Sequence, residues 1–281
     1  MKNIYLGLCI GAGLLCSYHT GQAQILKNIG KKLEQKVEQK AEQAIDHALN
    51  GNADTTSSSG KQGQISKSGS GPFKNLPGMV YDFKAGNQVI FFDDFDQDSI
   101  GAMAHHWTSN GRGSVSTVSG FNGRWLRMYD ENTYKIKDLV RIPENFTLEF
   151  DLLTLAESKD DISIEFGFDH QKGISKHYFL ADRNPVNIEA SYQFDHFVFT
   201  SNELGQRKSS EVDANMSYFV NDVMKVKIRI QGDRMEAYVD NYKVLDTEMV
   251  DPITKKYFYI AVNDNTNRAG IYMKNVRITQ L

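Results

Sequence analysis

The chain has 281 residues, a formal net charge of −3, 16 Phe and 13 Tyr. That length allows one large domain or two small ones. The near-balanced charge argues against a nucleic-acid binder or a polyanionic tail, and the aromatic content suits a β-rich domain.

The chain opens on "MKNIYLGLCIGAGLLCSYHTGQAQ". A basic Lys2 precedes an apolar run from Ile4 to Cys16, followed by a small-x-small site, Gly21-Gln22-Ala23. The run is too short to span a bilayer and reads as a signal peptide over residues 1–23. Leu15 stands before Cys16 where a lipid acceptor would need a small residue, which argues against lipidation. Both cysteines, Cys9 and Cys16, lie in this segment. The mature chain is therefore expected to have no disulfide, no thiolate metal site and no cysteine nucleophile. No later stretch is long and apolar enough to form a membrane-spanning helix.

Residues 24–49 repeat every four residues as LEQK, VEQK, AEQA and IDHA. Leu33, Val37, Ala41 and Ile45 form an apolar stripe between acidic and basic ones, which predicts an amphipathic charged helix. The stripe is thin and drifts around the helix, so a solvated spacer is favoured over a long coiled coil. Contact with a partner, or self-association, is the sharper reading of this helix. Residues 50–72 are Gly, Ser, Thr and Gln with little to bury, a flexible linker.

From Phe73 to Leu281 the pattern is all β. "VIFFDDF", "GSVSTVSG" and "GRWLRMYD" read as strands. In "FTLEFDLL", Phe146, Leu148, Phe150 and Leu152 share one face and Thr147, Glu149 and Asp151 the other. "ISIEFGF" places Ile162, Ile164, Phe166 and Phe168 likewise. "VMKVKIRIQGDRMEAYVDNYKVLDTEM" predicts a three-strand meander with tight turns at Gly232-Asp233 and Asp240-Asn241. "KYFYIAVND" and "AGIYMKNVRITQ" supply the last strands. Many short strands at this spacing predict a β-sandwich or barrel.

The meander "VKIRIQGDRMEAYVDNYKVLD" and the closing "GIYMKNVRIT" resemble the end of a concanavalin A-like or laminin-G-like jelly roll. The opening "VIFFDDFDQDSIGAMAHHWTSNGRGSVSTVSGFNGRWLRM" resembles the jelly-roll region of OmpA-like outer-membrane family proteins of Gram-negative bacteria. That resemblance implies export to the periplasm or outer membrane, or secretion. The chain lacks the peptidoglycan-binding domain of those proteins, so cell-wall binding is not implied.

Jelly-roll glycosidases of the laminarinase type carry a strand reading roughly E-x-D-x-x-E. Glu149 and Asp151 match its first two acids, but Leu153, Thr154 and Leu155 stand where the proton donor belongs. Retaining hydrolysis needs two carboxyls about 5 Å apart. A strand with one wet face explains both acids, so no catalytic residue is assigned. Asp93, Asp94 and Asp96 in "FFDDFDQDS" are candidate ligands for a structural Ca²⁺, although the spacing is not that of an EF-hand, and no other cofactor is expected. Sugar sites stack an aromatic face and ring it with polar groups. Trp107, in a loop-like stretch with Ser109, Asn110 and Arg112, is one candidate. Tyr192 and His196 are others, sharing a strand face with Phe194 in "IEASYQFDHFVF". The expected function is an exported, non-catalytic binding or structural module of the bacterial envelope, with a glycan or an envelope protein as partner. A glycosidase with an unrecognised acid pair is the alternative.

Overall fold

The computed structural model describes residues 71–73, 76, 80–138, 140–174, 185–263 and 269–281, all within the unit Gly63–Leu281. The expected signal peptide, charged helix and nearly all of the linker lie outside the described residues. Among the described residues, no helix is long and apolar enough to cross a membrane.

Fifteen strands are described. In chain order they are β1 (Gln88–Asp93), β2 (Trp107–Ser109), β3 (Gly113–Val118), β4 (Phe121–Met128), β5 (Asn132–Ile136), β6 (Phe146–Leu155), β7 (Ser163–Asp169), β8 (Val186–Ser191), β9 (His196–Ser201), β10 (Lys208–Asp213), β11 (Asp222–Gln231), β12 (Arg234–Val239), β13 (Tyr242–Glu248), β14 (Tyr257–Val262) and β15 (Gly270–Gln280). They form two antiparallel sheets. The first runs β13-β12-β11-β6-β15-β4-β3, with β1 also paired to β15; the second runs β10-β9-β8-β7-β14-β5-β2. The chain passes back and forth between the sheets, a jelly-roll sandwich as the alternation predicts.

The alternating apolar residues of each strand meet between the sheets. From the first come Phe146, Leu148, Phe150 and Leu152 of β6 and Val226, Ile228 and Ile230 of β11; from the second come Ile164, Phe166 and Phe168 of β7 and Phe258 and Ile260 of β14. Phe150 packs on Phe166 and Phe258 with ring centroids 5.2 and 5.3 Å apart, and Phe146 on Phe168 at 5.4 Å. Each such side chain contributes about 1.5–3 kcal/mol by leaving water. The meander closes as its sequence predicts. Gln231 pairs with Arg234 and Val239 with Tyr242, leaving Gly232 (φ 61°) and Asp240 (φ 51°) to open two-residue turns.

The stretch before β1 lies against the outer face of the first sheet. Tyr81 and Phe83 pack edge-on against Tyr238 of β12, at 5.6 and 5.3 Å. Between them Asp82 accepts from the Tyr238 hydroxyl at 2.7 Å and pairs with Lys243 of β13 at 2.8 Å. Farther along, the Gly86 amide donates to Thr279 Oγ1 of β15 at 2.8 Å. The stretch thus contacts β12, β13 and β15 on that face.

Two expectations are corrected. Trp107 does not lie in a loop; it begins β2, paired with Ile136 of β5. "IEASYQFDHFVF" is not one strand but the β8–β9 hairpin, with Ser191 paired to His196 across a four-residue turn. Asp195 (φ 58°) turns the chain there, held by Lys159 and by the Met216 amide, which donates to Asp195 Oδ1 at 3.0 Å.

Candidate functional site

Glu149 and Asp151 sit on the outer face of the first sheet. Glu149 is opposite Lys227 of β11 and Arg277 of β15, and Asp151 is opposite Lys225; Lys274, the β15 register partner of Asp151, sends its ammonium instead toward Asp96 and the Asn122 carbonyl. Asn275, at the β15 bulge, donates to Asp151 Oδ2 at 2.7 Å. Burial raises the Glu149 carboxyl, and Lys227 and Arg277 pull it back. Glu149, Asp151, Lys225, Lys227, Asn275 and Arg277 line a shallow groove of about 280 Å³. The arrangement is a cross-strand charge ladder on a half-wet face.

The acidic turn after β1 spends its carboxylates on separate partners. Asp93 is buried and accepts from the Phe95 amide and from Trp107 Nε1, both at 2.9 Å. Asp94 accepts from the Asp96 amide at 3.0 Å, and Asp96 from the Arg124 amide at 2.9 Å. Among the described residues no group of three or more His, Cys, Asp or Glu could hold a metal ion. Trp107 is 2% exposed, packed on Phe91, Phe95 and Phe258, so it offers no face to a sugar. The three sugar-site aromatics of the β8–β9 stretch are not on one face. Tyr192 is fully buried in the core, Phe194 is 67% exposed in the turn, and His196 pairs with Glu211 Oε1 at 2.8 Å. Alternation fails because residues 192–195 are turn, not strand.

The structure assembles a different polar group on the outer face of the second sheet, buried toward β5, β14 and β7 and open toward β9 and β10. Pairing sets two rows across it. One reads Thr133, Ala261, Glu165, Glu189, Val198 and Glu211, across β5, β14, β7, β8, β9 and β10. The adjacent row reads Lys135, Tyr259, Gly167, Asn187, Thr200 and Ser209 on the same strands. The inner face of these strands is apolar, so alternation sends all of these residues outward.

Three features give the surface its character. First, Gly167 lets Tyr259 reach Asn187, whose Oδ1 accepts from the Tyr259 hydroxyl. A Cβ at 167 would stand 2.1 Å from the Val186 carbonyl oxygen, so the position admits no side chain without a backbone shift. Second, Lys135 is buried and fully engaged. Its ammonium donates to Asp169 Oδ2 at 2.6 Å and to the carbonyls of Gln171 and Gly173 at 2.7 and 3.1 Å. Burial pulls it below the ordinary lysine range, and Asp169 opposes that. Third, four buried atoms on the two rows have no hydrogen-bond partner: Glu165 Oε2, Asn187 Nδ2, Thr133 Oγ1 and Thr200 Oγ1. Glu165 is 4% exposed, and the other three residues 1% or less. Burial, then the Glu189 carboxylate, push Glu165 up to about 8.

No family model matches the chain, and no curated protein matches it in sequence. Solved structures do resemble it. The carbohydrate-binding module CBM66 from Bacillus subtilis is 16% identical, over 62% of this chain and 96% of that one, with a TM-score of 0.42. The Ca²⁺-bound exoplasmic/lumenal domain of VIP36 is 11% identical, over 69% and 90%, with a TM-score of 0.47. The CBM2 module of the evolved Dit of Lactobacillus casei BL23 phage J-1 is 12% identical, over 70% and 96%, with a TM-score of 0.46. The likeness is of backbone course alone.

Sequence reasoning did not single out this face. Its residues were visible as the outward positions of "ISIEFGF", "NTYKI" and "VNIEAS". What no stretch showed was that these strands are neighbours, with Glu165 opposite Glu189.

Proposed function

We propose that the chain is an exported, non-catalytic glycan-binding module whose ligand lies on the outer face of the second sheet. The observation that carries this reading is the set of four buried, unpartnered polar atoms on two adjacent rows. Each costs about 1–3 kcal/mol when left dry, and buried polar groups normally find partners. A polyol supplies them: its hydroxyls accept from the Asn187 amide and from a protonated Glu165, and donate to the threonine oxygens. Tyr257 adds a partly exposed aromatic ring on the same face of β14.

Replacing Thr133 and Thr200 together with Val tests the site. The hydroxyls have no hydrogen-bond partner among the described residues, so the melting temperature is expected to stay level or rise. Affinity for whichever polysaccharide binds is expected to fall about tenfold or more, the equivalent of 1.4 kcal/mol or above. The readout is calorimetric titration of the purified chain against a polysaccharide panel. No saturable binding anywhere in the panel overturns the reading.

One observation favours a second reading, a glycoside hydrolase. Glu165 and Glu189 face each other on adjacent strands, and the first is held protonated near neutral pH. Release of reducing ends that disappears in Glu165→Gln would establish it.

Export is part of the proposal, supported by Lys2, the apolar run and Gly21-Gln22-Ala23. The protein recovered from its own cells is expected to begin at Gln24, by N-terminal mass analysis. An intact Met1 overturns this.

A further inference from the structure

The geometry points to a cationic ligand at this site: an amino sugar whose free ammonium group lodges between Glu165 and Glu189. The inference rests on the glycan-binding reading and narrows it to a substrate class. Glu165 and Glu189 are directly opposed on β7 and β8, so their side chains leave the sheet together. No ion pair joins either of them to a cation among the described residues, and nothing offsets the effects of burial and of Glu189 on Glu165. The nearby charges are committed elsewhere. On β5, Lys135 serves Asp169 of β7 and two carbonyls; on β9, His196 serves Glu211 of β10. Tyr259 of β14 donates to Asn187 of β8, and Asp213 of β10 adds a further carboxylate at the sheet edge.

The acid pair does not stand alone. Asn187 Nδ2, Thr133 Oγ1 and Thr200 Oγ1 are unpartnered, and their residues are at least nine-tenths buried on the same face. Asn187 and Thr200 leave a donor and a hydroxyl beside the acid pair, and Thr133 a second hydroxyl two strands from Glu165, across Ala261. A neutral sugar can donate a hydroxyl to Glu189, but it leaves the repulsion between two carboxylates in place, so one must stay protonated. An ammonium group satisfies both through charge-assisted hydrogen bonds and releases the Glu165 proton to solvent. A uronic acid or sialic acid would bring a further negative charge beside Glu189, and the face disfavours it.

The test compares glucosamine oligomers with N-acetylglucosamine oligomers of the same length, titrated into the purified chain at about pH 5.5, where the free amine is charged. The free-amine oligomer is expected to bind at least about tenfold more tightly. Titration in two buffers of different ionisation enthalpy is expected to show release of nearly one proton per ligand. E189Q is expected to abolish the preference, and E165Q the proton release as well. Equal or tighter binding of the acetylated oligomer, unchanged in E189Q, overturns the inference and leaves the glycan site standing. Failure of both oligomers and of every panel polysaccharide overturns the glycan-binding reading itself.

Discussion

Glu165→Gln is expected to leave stability unchanged in acid and to raise it by several kcal/mol in alkali. The carboxyl is pushed up to about 8 from an ordinary 4.5, first by burial and then by Glu189. The unfolded chain gives up this proton near pH 4.5, whereas the folded chain holds it to about pH 8. The contribution is therefore fully present below pH 4.5 and is lost as pH rises through 8. At about 1.4 kcal/mol per pH unit across that window, the loss is on the order of 4–5 kcal/mol. A glutamine keeps the shape and carries no titration. Urea unfolding of both proteins at about pH 5, 7 and 9 reads the difference, which should widen with pH. A constant offset across the three would show that Glu165 ionises in the folded chain like an exposed glutamate.

Lys135→Ala is expected to cost about 3–5 kcal/mol, because it removes one member of a buried ion pair. Lys135 is 1% exposed and its ammonium lies 2.6 Å from Asp169 Oδ2. It also ties down the carbonyls of Gln171 and Gly173, just past the end of β7. Removing the ammonium leaves the buried Asp169 carboxylate without its counter-charge. In the double variant Lys135→Met with Asp169→Leu, both charges are gone and much of the loss should return. Denaturant midpoints of the two proteins decide the matter. A single-variant loss below about 1 kcal/mol would place the pair in solvent, where ion pairs contribute little.

The two carboxylate pairs show how far alternation reaches. Glu149 and Asp151 stand out in "EFDLLT" because they are close in sequence, and a pair of acids on one strand invites a catalytic reading. In the fold Glu149 is bracketed by Lys227 and Arg277, and Asp151, opposite Lys225, accepts from Asn275. Glu165 and Glu189 look ordinary in their own strands, yet pairing of β7 with β8 sets them face to face, with no ion pair to a cation among the described residues. The candidate aromatics went astray for a related reason. Trp107 looks like loop in the sequence because β2 has only three residues, too few to show a period. Tyr192 and His196 were placed on one face because "SYQFDHF" contains no Gly or Pro to mark its turn, which Asp195 makes instead by adopting positive φ.

The sequence by itself determined the class of the fold and the inward face of its long strands. That information is local: side chains alternate along a strand, so Phe146, Leu148, Phe150 and Leu152, or Val226, Ile228 and Ile230, declare a buried face without reference to anything distant. It also determined the meander turns, where Gly232 and Asp240 answer to backbone geometry alone. Only the tertiary structure decided which strands are neighbours and in what register, and with that which outward residues share a surface. A ligand surface on a sheet is a property of rows that cross the strands, and each row here draws one residue apiece from β5, β14, β7, β8, β9 and β10. No stretch of sequence contains such a row, because it exists only once long-range pairing has been made.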